Sequence, residues 1–135
     1  MALIDDIKKH EGFSPVVYQC TAGYDTIGYG QRVKYLKVTQ EQAEEWLEEE
    51  LQNLRYILAD KYNWFLSAPQ EVQDVVMNMN YQLGVTSFSK FKKTIHLLAN
   101  KDYKGASIEM LDSKWARTDT PRRAKELSDR LKQVE

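Results

Sequence analysis

The sequence predicts an α+β, mostly helical fold, with a short β-hairpin near the amino terminus and a long helix followed by further helices after it. Four of the six glycines lie between Glu11 and Gly30, among residues typical of strands. Glycine at this density indicates tight turns around a short hairpin. From Thr39 onward, apolar residues recur every three or four positions, which is the period of amphipathic helices.

The first forty residues predict a short helix followed by the hairpin. Leu3, Ile4 and Ile7 stand at helical spacing, which places Glu11 at the end of a first helix. Strand-type residues then precede and follow the turn residues up to Gly30. The hairpin region is expected to end near Gly30, and 31–37 to be a polar connector.

The remainder of the chain predicts a series of helices. Thr39–Gln42 fits a capping box, which marks the start of the long helix. Gly84 is expected to end a later helix as its C-cap, and the apolar spacing over 88–98 predicts one further amphipathic helix. Thr120 precedes a proline and is expected to be the N-cap of the last helix.

Composition indicates a globular protein without a cofactor. The 135 residues are 42% hydrophobic and carry a net charge of −1, so no nucleic-acid partner is expected. The single cysteine permits no intrachain disulfide, and two distant histidines predict no metal site. No apolar run approaches a signal peptide or a membrane span, so neither a signal-anchor nor stable membrane insertion is expected.

Glu11, Cys20 and Thr26 bring a carboxyl, a thiol and a hydroxyl into the same glycine-rich stretch. Hydrolysis of a glycosidic bond requires an acid that protonates the leaving oxygen and groups that orient a water on the opposite face. A glutamate desolvated by apolar neighbours can be that acid, and the other two groups can hold the water. Taken singly, such a glutamate is more often a solvated surface group and such a cysteine a buried small hydrophobe.

The pattern Glu-Gly…Tyr-x-Cys-x-x-Gly-Tyr-x-Thr-Ile-Gly-Tyr-Gly, residues 11–30, closely resembles the phage-type lysozymes, endolysins of glycoside hydrolase family 24. The resemblance implies a lysozyme-like fold, in which a small β-hairpin lobe and a larger helical lobe are joined by a long helix. It also implies cleavage of the β-1,4 bond between N-acetylmuramic acid and N-acetylglucosamine in peptidoglycan. It implies Glu11 as the general acid, with Cys20 and Thr26 positioning the attacking water in an inverting reaction.

Further segments extend the resemblance to the carboxyl terminus. Gln82, within Asn-Met-Asn-Tyr-Gln-Leu-Gly, is implied to face the cleft, and Arg123, within Thr-Pro-Arg-Arg-Ala, to pair with the catalytic glutamate. Tyr18 and Gly30 belong to the first motif and are expected to be supporting or substrate-binding residues. The whole chain, 1–135, is therefore expected to be a single lysozyme domain. Its small β-lobe would cover about 12–38, and its helical lobe about 39–135 together with the N-terminal helix 1–11.

The resemblance also implies a biological setting. The partner is the glycan strand of peptidoglycan, and a monomer is expected. The enzyme would stay in the host bacterial cytoplasm until release, in the family often through a pore-forming holin, and then act on the cell wall in the periplasm. Two other functions stay open from the sequence: a catalytically silent peptidoglycan-binding or assembly protein, and a chitinase-like glycosidase.

Overall fold

The computed structural model describes residues 2–134. The chain divides into two compact units, Met1–Glu44 and Glu45–Glu135. Each unit is described by itself below, and the boundary between them lies inside one long helix, Gln40–Lys61. The organisation of 1–135 as a single domain stays a prediction. The α+β, mostly helical fold class is confirmed.

The first unit consists of a helix and a small antiparallel sheet. Its elements are α1 (Ala2–Glu11), β1 (Ser14–Gln19), β2 (Asp25–Gly28) and β3 (Gln31–Arg32), with strand order β1-β2-β3. The predicted helix end at Glu11 is confirmed. Gly12 follows with a φ of 69° and donates its N–H to the Lys8 carbonyl at 2.9 Å, which turns the chain out of the helix.

The sheet extends past Gly30, where the hairpin was predicted to end, because the first part of the polar connector, residues 31–35, is regular. Gln31 and Arg32 form β3, which pairs with β2 through Ile27↔Gln31 and Thr26↔Arg32, and Val33–Tyr35 is one turn of 3-10 helix. A two-residue polar strand has no period of its own in the sequence. It forms because a glycine-rich turn brings it back against the edge of β2.

The second unit is helical. Its elements are the larger part of α2 (Gln40–Lys61), then α3 (Gln70–Leu83), α4 (Val85–Phe88), α5 (Lys92–Ala99), α6 (Tyr103–Glu109), a π-helix (Trp115–Asp119) and α7 (Pro121–Lys132). At the start of α2, the N–H of Gln42 donates to the Thr39 hydroxyl at 3.1 Å, which confirms the predicted cap. Gly84 ends α3 with a φ of 86°, as predicted. No helix in the described part of the chain is both long and apolar enough to cross a bilayer.

The core of this unit is formed by side chains from all of its longer helices. The largest fully buried apolar residues are Phe65, Phe88, Leu58, Met79, Met110, Leu131, Val72, Val75 and Val76. Within α2, packing is confined to the carboxyl-terminal half: Leu58 is buried and Leu51 and Leu54 pack against the core, whereas Trp46 is half exposed. Burial of these side chains is the main stabilising contribution to this unit.

The single helix predicted over 88–98 was also wrong, because the structure divides it into two. α4 ends at Phe88, and a turn follows in which the Phe91 N–H donates to the Phe88 carbonyl at 2.9 Å; α5 then begins at Lys92. The turn places the rings of Phe88 and Phe91 in a stacked arrangement, with centroids 6.1 Å apart. The apolar period of 88–98 is therefore shared by two helices and the turn between them.

Candidate active site

The end of α1 places the Glu11 side chain against the backbone of Gly30. A Cβ at position 30 would lie 2.5 Å from Glu11 Oε2 and 2.8 Å from its carboxyl carbon, and Gly30 has a φ of 77°. Only glycine satisfies both conditions without strain. Glu11 is exposed, so α1 and the sheet do not supply the apolar surroundings that the sequence led us to expect.

Cys20 and Thr26 meet at the turn between β1 and β2. The Tyr24 backbone carbonyl accepts the Cys20 N–H at 3.0 Å and the Thr26 hydroxyl at 2.8 Å, so one carbonyl fixes both residues. The Cys20 carbonyl in turn accepts the Gly23 N–H at 2.8 Å. The thiol is free and half-buried.

The surroundings of the sulfur favour its ionised form. Backbone hydrogen bonds at Tyr24, and then at Ala22, lower the pKa of the Cys20 thiol. Partial burial acts in the opposite direction, while the charge of Arg32 lowers the pKa further. Cys20 therefore forms a thiolate at lower pH than an ordinary cysteine.

Tyr18 and Arg32 flank Thr26 on the two neighbouring strands. Tyr18 pairs with Thr26 from β1 and Arg32 pairs with it from β3, so all three side chains share one face of the sheet. Thr26 is accordingly only 2% exposed. The guanidinium carbon of Arg32 also lies 4.0 Å from the centre of the Tyr24 ring.

Arg32 is a site residue that sequence reasoning missed. It lies opposite Thr26 and its charge acts on Cys20. Nothing in the sequence around position 32 indicates this role, which becomes visible only when β3 is known to pair with β2.

In the second unit, Gln82 links three helical elements. Its amide oxygen accepts the indole N–H of Trp115 at 3.0 Å, and its amide nitrogen donates to the Thr120 hydroxyl at 3.0 Å. Thr120 precedes α7 as predicted, but its side chain makes no capping hydrogen bond and is instead the acceptor for Gln82. Thr120 is thus the N-cap residue of α7 by position, as predicted, while its hydroxyl is directed to α3. Because hydrogen bonds hold both the oxygen and the nitrogen of its amide, the half-buried Gln82 side chain is fixed in one rotamer.

Arg123, in the first turn of α7, is held by α3. Its Nε and Nη2 donate to the Asn78 side-chain oxygen at 2.9 Å and 2.6 Å, which is a fork-like, charge-assisted pair of bonds. Sequence reasoning quoted Asn78 in a motif without a role, and this contact supplies one. The pairing of Arg123 with Glu11 stays a prediction.

The structure thus brings Cys20 and Thr26 together and sets Glu11 against Gly30, all within the first unit. The convergence of all three reactive groups on one substrate stays a prediction, as do the roles of Gln82 and Arg123. Among residues 2–134, no three His, Cys, Asp or Glu side chains form a group that could hold a metal ion.

Comparison with known proteins defines the class of enzyme as a glycoside hydrolase of the lysozyme type, which acts on peptidoglycan in the cell wall. The chain belongs to the phage lysozyme family, whose model matches residues 8–133. It is similar to an endolysin of Acyrthosiphon pisum secondary endosymbiont phage 1, with 32% identity over 114 residues, covering 82% of this chain and 75% of that protein. It is also similar to a probable T4-type lysozyme 2 of Dictyostelium discoideum, with 43% identity over 47 residues, covering 35% of this chain and 27% of that protein.

Proposed function

We propose that this lysozyme is a muramidase that hydrolyses the β-1,4 bond between N-acetylmuramic acid and N-acetylglucosamine with inversion. Glu11 is the proton donor, and Cys20 and Thr26 orient the attacking water. The observation that carries this proposal is that the Tyr24 carbonyl accepts both the Cys20 N–H and the Thr26 hydroxyl, which fixes the two residues together beside a thiol whose pKa is lowered. A thiolate beside a fixed hydroxyl is an acceptor pair suited to hold and polarise a water.

In the proposed step, Glu11 acts on the glycosidic oxygen, and the water attacks the anomeric carbon from the opposite face of the sugar. Protonated Glu11 gives its proton to the glycosidic oxygen, and the bond from that oxygen to the anomeric carbon of N-acetylmuramic acid breaks. A water attacks the same carbon from the opposite face and loses a proton to the Cys20 thiolate. The products are a free 4-hydroxyl on N-acetylglucosamine and an α-configured reducing end, and solvent returns the proton from Cys20 to Glu11.

A water, rather than the sulfur, is the proposed nucleophile because the Thr26 hydroxyl provides a second acceptor that can hold a water next to Cys20. The Thr26 hydroxyl donates its proton to the Tyr24 carbonyl, so its free lone pairs can accept a hydrogen bond from water beside the sulfur. Direct attack by sulfur would instead give a covalent intermediate and net retention.

The central test is the substitution Glu11→Gln. It removes the transferable proton with little change in shape, so turnover on purified peptidoglycan is expected to fall by about 10³-fold or more. Glu49→Gln, a matched change at an exposed position of α2, is expected to retain full turnover. Substantial lysis by the Glu11 variant would refute its assignment as the acid.

Two product analyses test the bond and the stereochemistry. Mass spectrometry of the digests is expected to show muramic acid at the new reducing ends, while soluble chitooligosaccharides remain uncleaved. NMR recorded during the first minutes is expected to show the α-anomer before mutarotation. A β-anomer formed first would exclude inversion, and rapid cleavage of chitooligosaccharides would favour a chitinase-like specificity.

The proposed biological role is host-cell lysis by a monomer released from the cytoplasm through a holin. Expression in the bacterial cytoplasm alone is expected to leave cells intact, and co-expression of a pore-forming holin to lyse them rapidly. Lysis of equal speed without the holin would contradict this route. Size-exclusion chromatography with light scattering checks the monomer, for which 15.8 kDa is expected.

A further inference from the structure

Gln31 closes the turn between β2 and β3. Its side-chain oxygen accepts the Tyr29 N–H at 2.8 Å, which satisfies a backbone donor in the segment Gly28–Gly30. The same oxygen occupies the space that a Cβ on residue 28 would need, and Gly28 has a φ of 69°. The turn can therefore accommodate the Gln31 amide only because position 28 is glycine.

The opposite end of this turn is the surface against which Glu11 lies. The Glu11 carboxyl occupies the space beside Gly30 that a Cβ would need, two residues from Gly28. The ring of Tyr29 contacts α1 and the residues that follow it: its centre lies 5.5 Å from the ammonium of Lys8, in α1, and 5.4 Å from the centre of the ring of Phe13, just after α1. Contacts therefore connect the Gln31 amide, the turn and the end of α1.

We infer that Gln31 is a positioning residue for the proton donor: its side-chain oxygen fixes the Gly28–Gly30 turn, and this turn sets the place of the Glu11 carboxyl. The inference rests on the proposed function, in which Glu11 is the acid. Gln31 is exposed and lies on a strand edge, so its side chain adds nothing to the apolar core. Its effect is expected on the geometry of catalysis rather than on the stability of the fold.

The physical reason is the sensitivity of proton transfer to distance. A misplacement of about 1 Å in a catalytic group can lower the rate about 100-fold. Without the Gln31 acceptor, the Tyr29 N–H must bond to water, and the two positive-φ glycines leave the turn free to take other conformations. The carboxyl of Glu11 then loses its fixed neighbour at Gly30.

The test compares Gln31→Met, which keeps the length of the side chain but has no strong acceptor, with Gln31→Glu, which keeps an acceptor oxygen. Gln31→Met is expected to lower kcat on peptidoglycan by about 10- to 100-fold with KM within about twofold, and Gln31→Glu to retain kcat within about threefold. Gln133→Met, at an exposed position after α7, is the matched control and is expected to match the wild type. If Gln31→Met does not fold, Gln31→Asn takes its place, since its amide is one methylene too short to reach Tyr29.

Two NMR measurements separate this inference from the proposed function. Amide exchange at Tyr29 and the carboxyl carbon resonance of Glu11, at constant pH, are expected to change in Gln31→Met and not in Gln31→Glu. An inactive Glu11→Gln together with an unchanged kcat in Gln31→Met overturns the positioning role alone. An active Glu11→Gln overturns the proposed acid, and the NMR signals then decide whether Gln31 still orders the turn; unchanged signals overturn the inference.

Discussion

Replacing Gly30 by alanine tests the contact on which the candidate site depends. The new Cβ would lie 2.5 Å from Glu11 Oε2, whereas non-bonded atoms of this kind prefer about 3.5 Å. Relief of the clash therefore requires a movement of about 1 Å by the carboxyl group or by the turn. A displacement of that size is expected to lower kcat about 100-fold, which corresponds to about 2.7 kcal/mol in the activation barrier.

The same substitution has a second effect that must be separated from the first. Gly30 has a φ of 77°, and a side chain in this region costs about 1–2 kcal/mol of stability. Gly23→Ala supplies the matched control, because Gly23 has a φ of 82° but a Cβ there would meet no atom within 4 Å. Both variants are expected to lose similar backbone stability, and only Gly30→Ala to lose most of its turnover.

The assay is the initial rate of turbidity loss of purified cell walls, with urea unfolding measured in parallel. The rate is taken at a temperature where unfolding shows both variants to be folded, so the ratio of rates reports the clash alone. If Gly30→Ala and Gly23→Ala retain equal turnover, the packing of Glu11 against Gly30 has no part in catalysis and the reasoning fails.

Two further predictions concern ionisation and the helical core. Because the pKa of Cys20 is lowered, its thiolate forms at a lower pH than that of an ordinary cysteine, and kcat is expected to rise with pH as the thiolate forms. Cys20→Asp is expected to lack this rise. A rise that persists in Cys20→Asp would belong to another group. Gln73 is 7% exposed; its side-chain oxygen accepts a hydrogen bond from Arg55 at 2.7 Å, and its amide nitrogen donates to the carbonyls of Leu66 and Ala68. Gln73→Met leaves these partners without their hydrogen bonds, so it is expected to lower the free energy of unfolding by about 2–4 kcal/mol. Urea unfolding measures the loss against Gln70→Met, an exposed neighbour expected to change it by less than about 0.5 kcal/mol; equal losses would show that the buried bonds contribute nothing.

Local sequence was sufficient for the features that depend on one residue type. A glycine after Glu11 ends α1, Thr39 caps α2 with its hydroxyl, and Gly84 ends α3 with a positive φ. In each case the backbone conformation or the capping bond is formed by residues within a few positions of each other, so the chemistry can be read from the sequence.

Features that depend on distant partners were missed or misassigned. The sequence predicts one helix over 88–98, but a turn separates Phe88, whose ring packs edge-on against Tyr62, from Phe91, whose ring packs edge-on against Trp115. It places Thr120 at the N-cap of α7, as the structure does, but does not indicate that Gln82, 38 positions earlier, donates to that hydroxyl. A propensity or a cap is worth only about 1 kcal/mol, and tertiary packing can outweigh it.

The sequence by itself determined the α+β class, the family motif with Glu11, Cys20 and Thr26, and the lysozyme assignment that the family comparison confirms. Only the tertiary structure decided that a third strand places Arg32 beside Thr26, and that Gly30 is the neighbour of the Glu11 carboxyl. The physical reason is the range of the forces involved. Backbone preferences act over a few residues, whereas the pKa of a thiol and the position of a carboxyl depend on whatever the fold brings within a few ångströms of them.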